Sequence, residues 1–215
     1  MYKMITVKIK ICGITNLDDA LAAVDMGADI LGFNFYSHSP RYIEQDKAEQ
    51  IINKLPSFID TAGVFVNAKV QDIRKITNPG LLNWIQFHGD ETPEFCEDFN
   101  VWNLNTIKAV RIRSLEDIQQ AQVFRTHSLL FDAFDPNLYG GTGKTFDWSL
   151  AKNCPHRIFL AGGITPDNIT KALEVDVYGI DVCSGIESEP GKKDPKKMKR
   201  LFDNIHNYTG LKGYK

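Results

Sequence analysis

Thr6–Gly27 reads TVKIKICGITNLDDALAAVDMG, and its two halves carry two different periods. In Thr6–Ile11 the apolar Val7, Ile9 and Ile11 alternate with Lys8 and Lys10, the period of two of a strand. Leu17–Met26 is an amphipathic stretch with Asn16 placed to cap its start and Gly27 to stop it, which predicts a helix. The unit recurs. Further strands are predicted over Ile30–Phe35, Thr61–Val66, Trp84–Phe87, Asn105–Val110, Ser128–Asp132, Arg157–Leu160 and Tyr178–Val182. Helices are predicted over Asp46–Leu55, Val70–Ile76, Pro93–Phe99, Leu115–Gln122, Asp167–Glu174 and Pro195–Asn207, with at most a short one near Trp148. Eight β-α units of about 27 residues each match an α/β fold of one kind, a single (β/α)8 TIM barrel over residues 1–215. A doubly wound open sheet also alternates strands with helices but usually has about five or six strands.

Composition narrows the function classes. The chain has 215 residues, 43% of them hydrophobic, enough for one substantial core. Sixteen glycines and nine prolines exclude collagen-like and disordered readings. The 25 basic and 27 acidic side chains nearly balance, so no nucleic acid and no membrane surface is expected as a partner. The cysteines, Cys12, Cys96, Cys154 and Cys183, form no CxxC pair and no Cys/His cluster at zinc spacing. With no secretory leader in the sequence, they read as reduced thiols of a cytoplasmic protein.

A barrel puts its chemistry at the C-terminal ends of its strands. Those ends carry Cys12-Gly13, Asn34-Phe35, Val66-Asn67, Phe87-His88-Gly89, Asp132, Gly162-Gly163 and Ser184-Gly185. If Ile9 and Ile11 face the helices, then Lys8, Lys10 and Cys12 face the barrel interior. Asp132 does likewise, because Phe131 belongs with the helix layer. An inward lysine needs a partner, and closure of the barrel brings Asp181 to Lys10 or Lys8. Nearby cations favour a Cys12 thiolate, a useful base. Asp132 would act as an acid if burial and a neighbouring thiolate keep it protonated. Cys96, Cys154 and Cys183 read as small hydrophobes.

Three glycine-rich loops, Gly140-Gly141-Thr142-Gly143, Gly162-Gly163 and Ser184-Gly185, follow the last three strands. Glycine lets backbone amides approach an anion, so these loops predict a phosphate site. Gly143-Lys144-Thr145 is not the end of a nucleotide P-loop, since Leu138 stands where that motif needs glycine, and Phe146 breaks a dinucleotide fingerprint. His88 ends a strand as an acid, a base, a substrate ligand or a hydrogen-bonded residue of the loop mouth. Arg41 matches a carboxylate with two parallel hydrogen bonds or forms a surface salt bridge. Lys192–Lys197 reads as a solvated helix start.

Lys8–Thr15, Gly32–Tyr36 with Ser39–Tyr42, Gly63–Asn67, Gln86–Glu91, Phe131–Ala133, Tyr139–Trp148, Leu160–Ile164, Gly179–Glu187 and Pro190–Asp194 together resemble the phosphoribosylanthranilate isomerase family over nearly the whole chain. One departure is Cys183, where the family more often has serine or asparagine. The resemblance implies an Amadori rearrangement of N-(5-phosphoribosyl)anthranilate, a phosphorylated small-molecule substrate, in tryptophan biosynthesis. It puts the general acid on Asp132, the general base on Cys12 and the anthranilate carboxylate on Arg41. His88 is carried as a further substrate-binding residue. The phosphate falls on amides around Gly141, Gly143, Gly163, Ser184 and Gly185. No cofactor and no metal is expected, because each step moves only protons, and the chain is expected to be a monomer or homodimer. Two rivals are the histidine-pathway isomerase of similar fold, whose pattern has aspartate at position 12, and a catalytically dead barrel that only binds a phosphorylated metabolite.

Overall fold

The computed structural model describes residues 7–77, 80–102, 104–135, 140, 143, 145–152 and 154–212. Eight parallel strands close into a barrel in sequence order: β1 (Lys8–Cys12), β2 (Ile30–Asn34), β3 (Asp60–Phe65), β4 (Trp84–Phe87), β5 (Asn105–Ile112), β6 (Ser128–Ala133), β7 (Ile158–Leu160) and β8 (Gly179–Val182). β8 pairs back onto β1, with Lys10 opposite Asp181 and Ile11 opposite Val182. The outer helices are α1 (Leu17–Met26), α2 (Gln45–Ile52), α3 (Val70–Thr77), α4 (Pro93–Glu97), α5 (Leu115–Ala121), α6 (Ile169–Leu173) and α7 (Pro195–Lys212). A 3-10 turn at Trp148–Ala151 stands between β6 and β7, as the sequence predicts. This is a TIM barrel.

Local chemistry sets the element ends. The Asn16 side chain accepts from the Asp19 amide to start α1, and Gly27, at φ 109°, closes it with its N–H on the Ala23 and Val24 carbonyls. α4 is shorter than the sequence suggests because the chain tightens into a 3-10 turn at Asn100–Trp102. α6 starts late because Asn168 folds back, accepting from Thr165 N and donating to the Gly163 carbonyl. α7 runs past Asn207, and the Thr209 hydroxyl bonds back to the Ile205 carbonyl within it.

Strand alternation sorts the core into layers. Ile9, Ile11, Leu31, Phe33, Leu129 and Phe131 pack between strands and helices. Ile30, Ala62, Trp84, Ile107, Leu130 and Phe159 form a separate cluster, with Trp84 and Phe159 in edge-to-face contact at 6.0 Å. That interior packing makes the barrel a filled scaffold, with its cavity confined to the C-terminal rim. After β8 comes a small antiparallel hairpin, β9 (Glu187–Glu189) and β10 (Lys192–Lys193), which the sequence does not announce. Among the described residues no helix is long and apolar enough to cross a membrane.

Candidate active site

Cys12 at the end of β1 and Asp132 near the end of β6 line one cavity at the C-terminal rim of the barrel, and Arg41 and His88 line it with them. Among the described residues no group of three His, Cys, Asp or Glu side chains is arranged to hold a metal.

The floor beneath Cys12 is charged. Lys10 is fully buried and its Nζ lies 2.8 Å from Asp181 Oδ1. The expected partner of Asp181 is therefore Lys10. Lys8 is half-exposed and pairs with Asp29 instead. Burial works against the Lys10 charge, but Asp181 and Cys12 outweigh it and raise its pKa. Burial pushes the Asp181 carboxyl up to about 6, against the opposite pull of Lys10. The neighbouring Cys183 and the Lys10 and Lys193 ammonium groups hold the Cys12 thiol well below its ordinary value, although burial opposes them. Cys183 is pushed well above its ordinary value by Cys12 and by burial.

Gly32 faces Cys12 across the β1–β2 ladder. A Cβ there would sit 2.9 Å from Cys12 Sγ and 3.1 Å from Lys10 Nζ. Glycine thus leaves the space in which sulfur and ammonium approach each other. Gly32→Ala is expected to lose some stability, because its Cβ also meets Cys12 Cα at 3.1 Å, and to slow iodoacetamide alkylation of Cys12 at neutral pH. A rise of one unit in the thiol pKa would lower its thiolate fraction about tenfold. An unchanged alkylation rate would separate Gly32 from the thiol's environment.

Asp132 is buried, and its Oδ1 accepts from the Ala133 amide at 2.8 Å. Its Oδ2 lies 3.5 Å from His88 Nε2. On the other side of the ring, Gln86 Nε2 lies 2.8 Å from His88 Nδ1. The ring is thus held through Nδ1, and Nε2 faces Asp132 without a hydrogen-bond partner among the described residues. Gly140, at φ 80°, crosses directly above. A Cβ there would meet Asp132 Oδ2 and His88 Nε2, each at 2.8 Å.

Arg41 is held from the far side. Its Nε and Nη2 grip Glu187 at distances from 2.7 to 3.1 Å, and both side chains are nearly buried. The Glu187 carboxylate also meets Lys193 Nζ at 3.0 Å. Burial works to raise the Glu187 pKa, but Arg41 and Lys193 prevail and lower it. Lys193 donates to the Cys12 carbonyl at 2.6 Å. It is therefore no part of a solvated helix start: the β9–β10 hairpin turns it under the site, while Asp194 caps α7 by accepting from Lys196 N and Lys197 N.

The glycine loops meet on the same rim. Gly143, Gly163 and Ser184 all line the cavity. Gly162 and Gly163 follow each other at φ 84° and 63°, a backbone that L side chains rarely adopt. Gly185 stands outside the lining, where a Cβ would run into the Ile164 carbonyl. Gly141 lies outside the described residues. Lys193, Glu187, Gln86 and Gly32 escape the sequence argument. For Glu187 and Lys193 no signal was available, since their roles arise from contacts across the hairpin.

The family model for N-(5'-phosphoribosyl)anthranilate isomerase matches residues 9–204. The chain belongs to the phosphoribosylanthranilate isomerase family. It is 45% identical over 202 residues to the N-(5'-phosphoribosyl)anthranilate isomerase of Trichlorobacter lovleyi, covering 92% of this chain and 97% of that one. The phosphoribosylanthranilate isomerase of Thermotoga maritima superposes with a TM-score of 0.86 at 39% identity, covering 96% of this chain and all of that one. Another phosphoribosylanthranilate isomerase, solved in complex with reduced 1-(o-carboxyphenylamino)-1-deoxyribulose 5-phosphate, superposes with a TM-score of 0.84 at 37% identity, covering 94% of this chain and all of that one.

Proposed function

We propose that this isomerase of tryptophan biosynthesis catalyses the Amadori rearrangement of N-(5-phosphoribosyl)anthranilate to 1-(2-carboxyphenylamino)-1-deoxyribulose 5-phosphate, with Asp132 as general acid and Cys12 as general base. The observation that carries the reading is a thiol favoured as thiolate by Lys10 and Lys193 in the same cavity as a buried carboxyl.

Asp132 protonates the furanose ring oxygen, and the C1′–oxygen bond breaks to give a protonated Schiff base. The Cys12 thiolate removes the C2′ proton, which yields a neutral enolamine that tautomerises to the ketone. One proton enters at the ring oxygen and one leaves from carbon, so charge balances without a redox step. The reading therefore calls for no cofactor. His88, whose Nε2 lies 3.5 Å from Asp132 Oδ2, stands beside the carboxyl and sits where it also meets the sugar. The phosphate rests on amides of the converging loops around Gly141, Gly143, Gly163, Ser184 and Gly185. The reading treats the whole chain as one catalytic barrel, a cytoplasmic monomer or homodimer.

Arg41 uses Nε and Nη2 on Glu187, and Nη1 is the nitrogen that meets the anthranilate carboxylate. A hydrogen bond to a charged group contributes about 1.5–3 kcal/mol, so Arg41→Ala is expected to raise KM about tenfold to a hundredfold. An unchanged KM with a selective loss of inorganic-phosphate affinity would move the carboxylate elsewhere. The reading as a whole is tested by following the loss of anthranilate fluorescence as purified protein turns over phosphoribosylanthranilate. Binding without turnover would favour the non-catalytic barrel, and turnover of the histidine-pathway ribonucleotide alone would favour the other isomerase.

A further inference from the structure

We propose that Cys12 and Cys183 are an oxidant-sensitive pair: a hydroperoxide oxidises the Cys12 sulfur, and Cys183 then closes a disulfide across the β1–β8 seam that a thiol reductant reopens.

The ladder between β1 and β8 runs Lys8 to Gly179, Ile9 to Ile180, Lys10 to Asp181 and Ile11 to Val182. Cys12 and Cys183 each follow the last pair of that ladder, Cys183 as the cap of the 3-10 turn Ser184–Ile186. Neighbouring strands lie about 4.7–4.9 Å apart, inside the window of about 4.4–6.8 Å between the Cα atoms of a disulfide. Direction agrees with distance. Lys10 and Asp181 point inward and touch, and Cys12, Asp181 and Cys183 line one cavity. Both cysteines line the cavity, and the Cys183 thiol donates to Glu187 Oε1 at 3.8 Å. Gly13 leaves the room this needs, since a Cβ there would stand 3.0 Å from Cys183 Sγ.

The surroundings give the two sulfurs an order of reaction. Cys12, the group held as thiolate, attacks the peroxide O–O bond, becoming a sulfenic acid and releasing hydroxide. The negative charge that opposed ionisation of Cys183 is then gone. Lys193, with Nζ 4.0 Å from Cys183 Sγ, and Arg41 remain and favour its thiolate. Cys183 attacks the sulfenic sulfur, the S–O bond breaks, and water leaves after protonation. Two thiols and one hydroperoxide thus yield one disulfide, with two electrons passing to the peroxide. The other thiols stand apart. Cys96 is fully buried in α4, and its thiol is pushed up to about 12 by burial; neither it nor Cys154 lines the cavity.

That the bond abolishes turnover rests on the reading of Cys12 as the base; the bond itself does not. The test treats reduced protein with equimolar hydrogen peroxide and follows intact mass, peptide maps and turnover, before and after dithiothreitol. Wild type is expected to lose the mass of two hydrogens, give a Cys12–Cys183 cross-linked peptide, lose turnover and recover with dithiothreitol. Cys183→Ser, compared with its own reduced form, is expected to give no cross-link and to gain oxygen at Cys12 instead. Unchanged mass, oxygen added at Cys12 in wild type without a cross-link, or a cross-link through Cys96 or Cys154 would each overturn the proposal. A protein that forms the Cys12–Cys183 bond but shows no turnover when reduced would uphold the pair and remove Cys12's role as base.

Discussion

Cys12→Ser is expected to lower kcat for phosphoribosylanthranilate by about 10²–10⁴-fold, the usual contribution of a positioned acid or base. Serine occupies the same space at the end of β1, so the Lys10–Asp181 pair, the Lys193 contact to the residue 12 carbonyl and the surrounding packing all persist. What is lost is ionisability. A thiol starts near pKa 8.5 and is drawn down here by Cys183, Lys10 and Lys193, whereas the same cations leave a serine hydroxyl protonated at neutral pH. KM is expected to change little, because the proposed phosphate and carboxylate contacts lie on other loops. The pH profile carries a second signature. A base acts when deprotonated, so kcat/KM falls as pH drops through the Cys12 pKa, and a lowered thiol pKa puts that acid limb below the range of a free cysteine. The serine variant should lack the limb. Near-normal turnover by Cys12→Ser would remove the thiol from the proton-transfer step.

Much of this arrangement is legible in the sequence because it depends on alternation and on chain closure. Ile9 and Ile11 against Lys10 and Cys12 fix which face of β1 is internal, and eight units returning to the start bring Asp181 to β1. The choice of Lys10 over Lys8 needed the height of each residue in the barrel: Asp29 waits at the N-terminal end and takes Lys8. Lys193 was illegible for a different reason. In a run with Lys192, Lys196 and Lys197 it has the chemistry of a solvated surface, and only the hairpin distinguishes it by burying it against Cys12 and Glu187. Glu187 meets Arg41 from 146 residues away, a pairing that no local pattern encodes. Gly32 reads as an ordinary strand glycine until the ladder sets it opposite the thiol.

Asp132→Asn is expected to lower kcat by a similar factor, about 10²–10⁴-fold, through a different step. The side chain keeps its shape, and an amide oxygen can still accept from the Ala133 amide. The other position now carries an NH2 group, where the carboxylate oxygen lay 3.5 Å from His88 Nε2. Asparagine has no acidic proton to give the ring oxygen, so the sugar stays closed. The two variants therefore separate the two steps. With Cys12→Ser the ring still opens, and cyanoborohydride should trap the open-chain Schiff base faster than in free solution. With Asp132→Asn that acceleration should vanish. Trapping accelerated equally by both variants would place the acid elsewhere, and acceleration by Asp132→Asn alone would invert the assigned order.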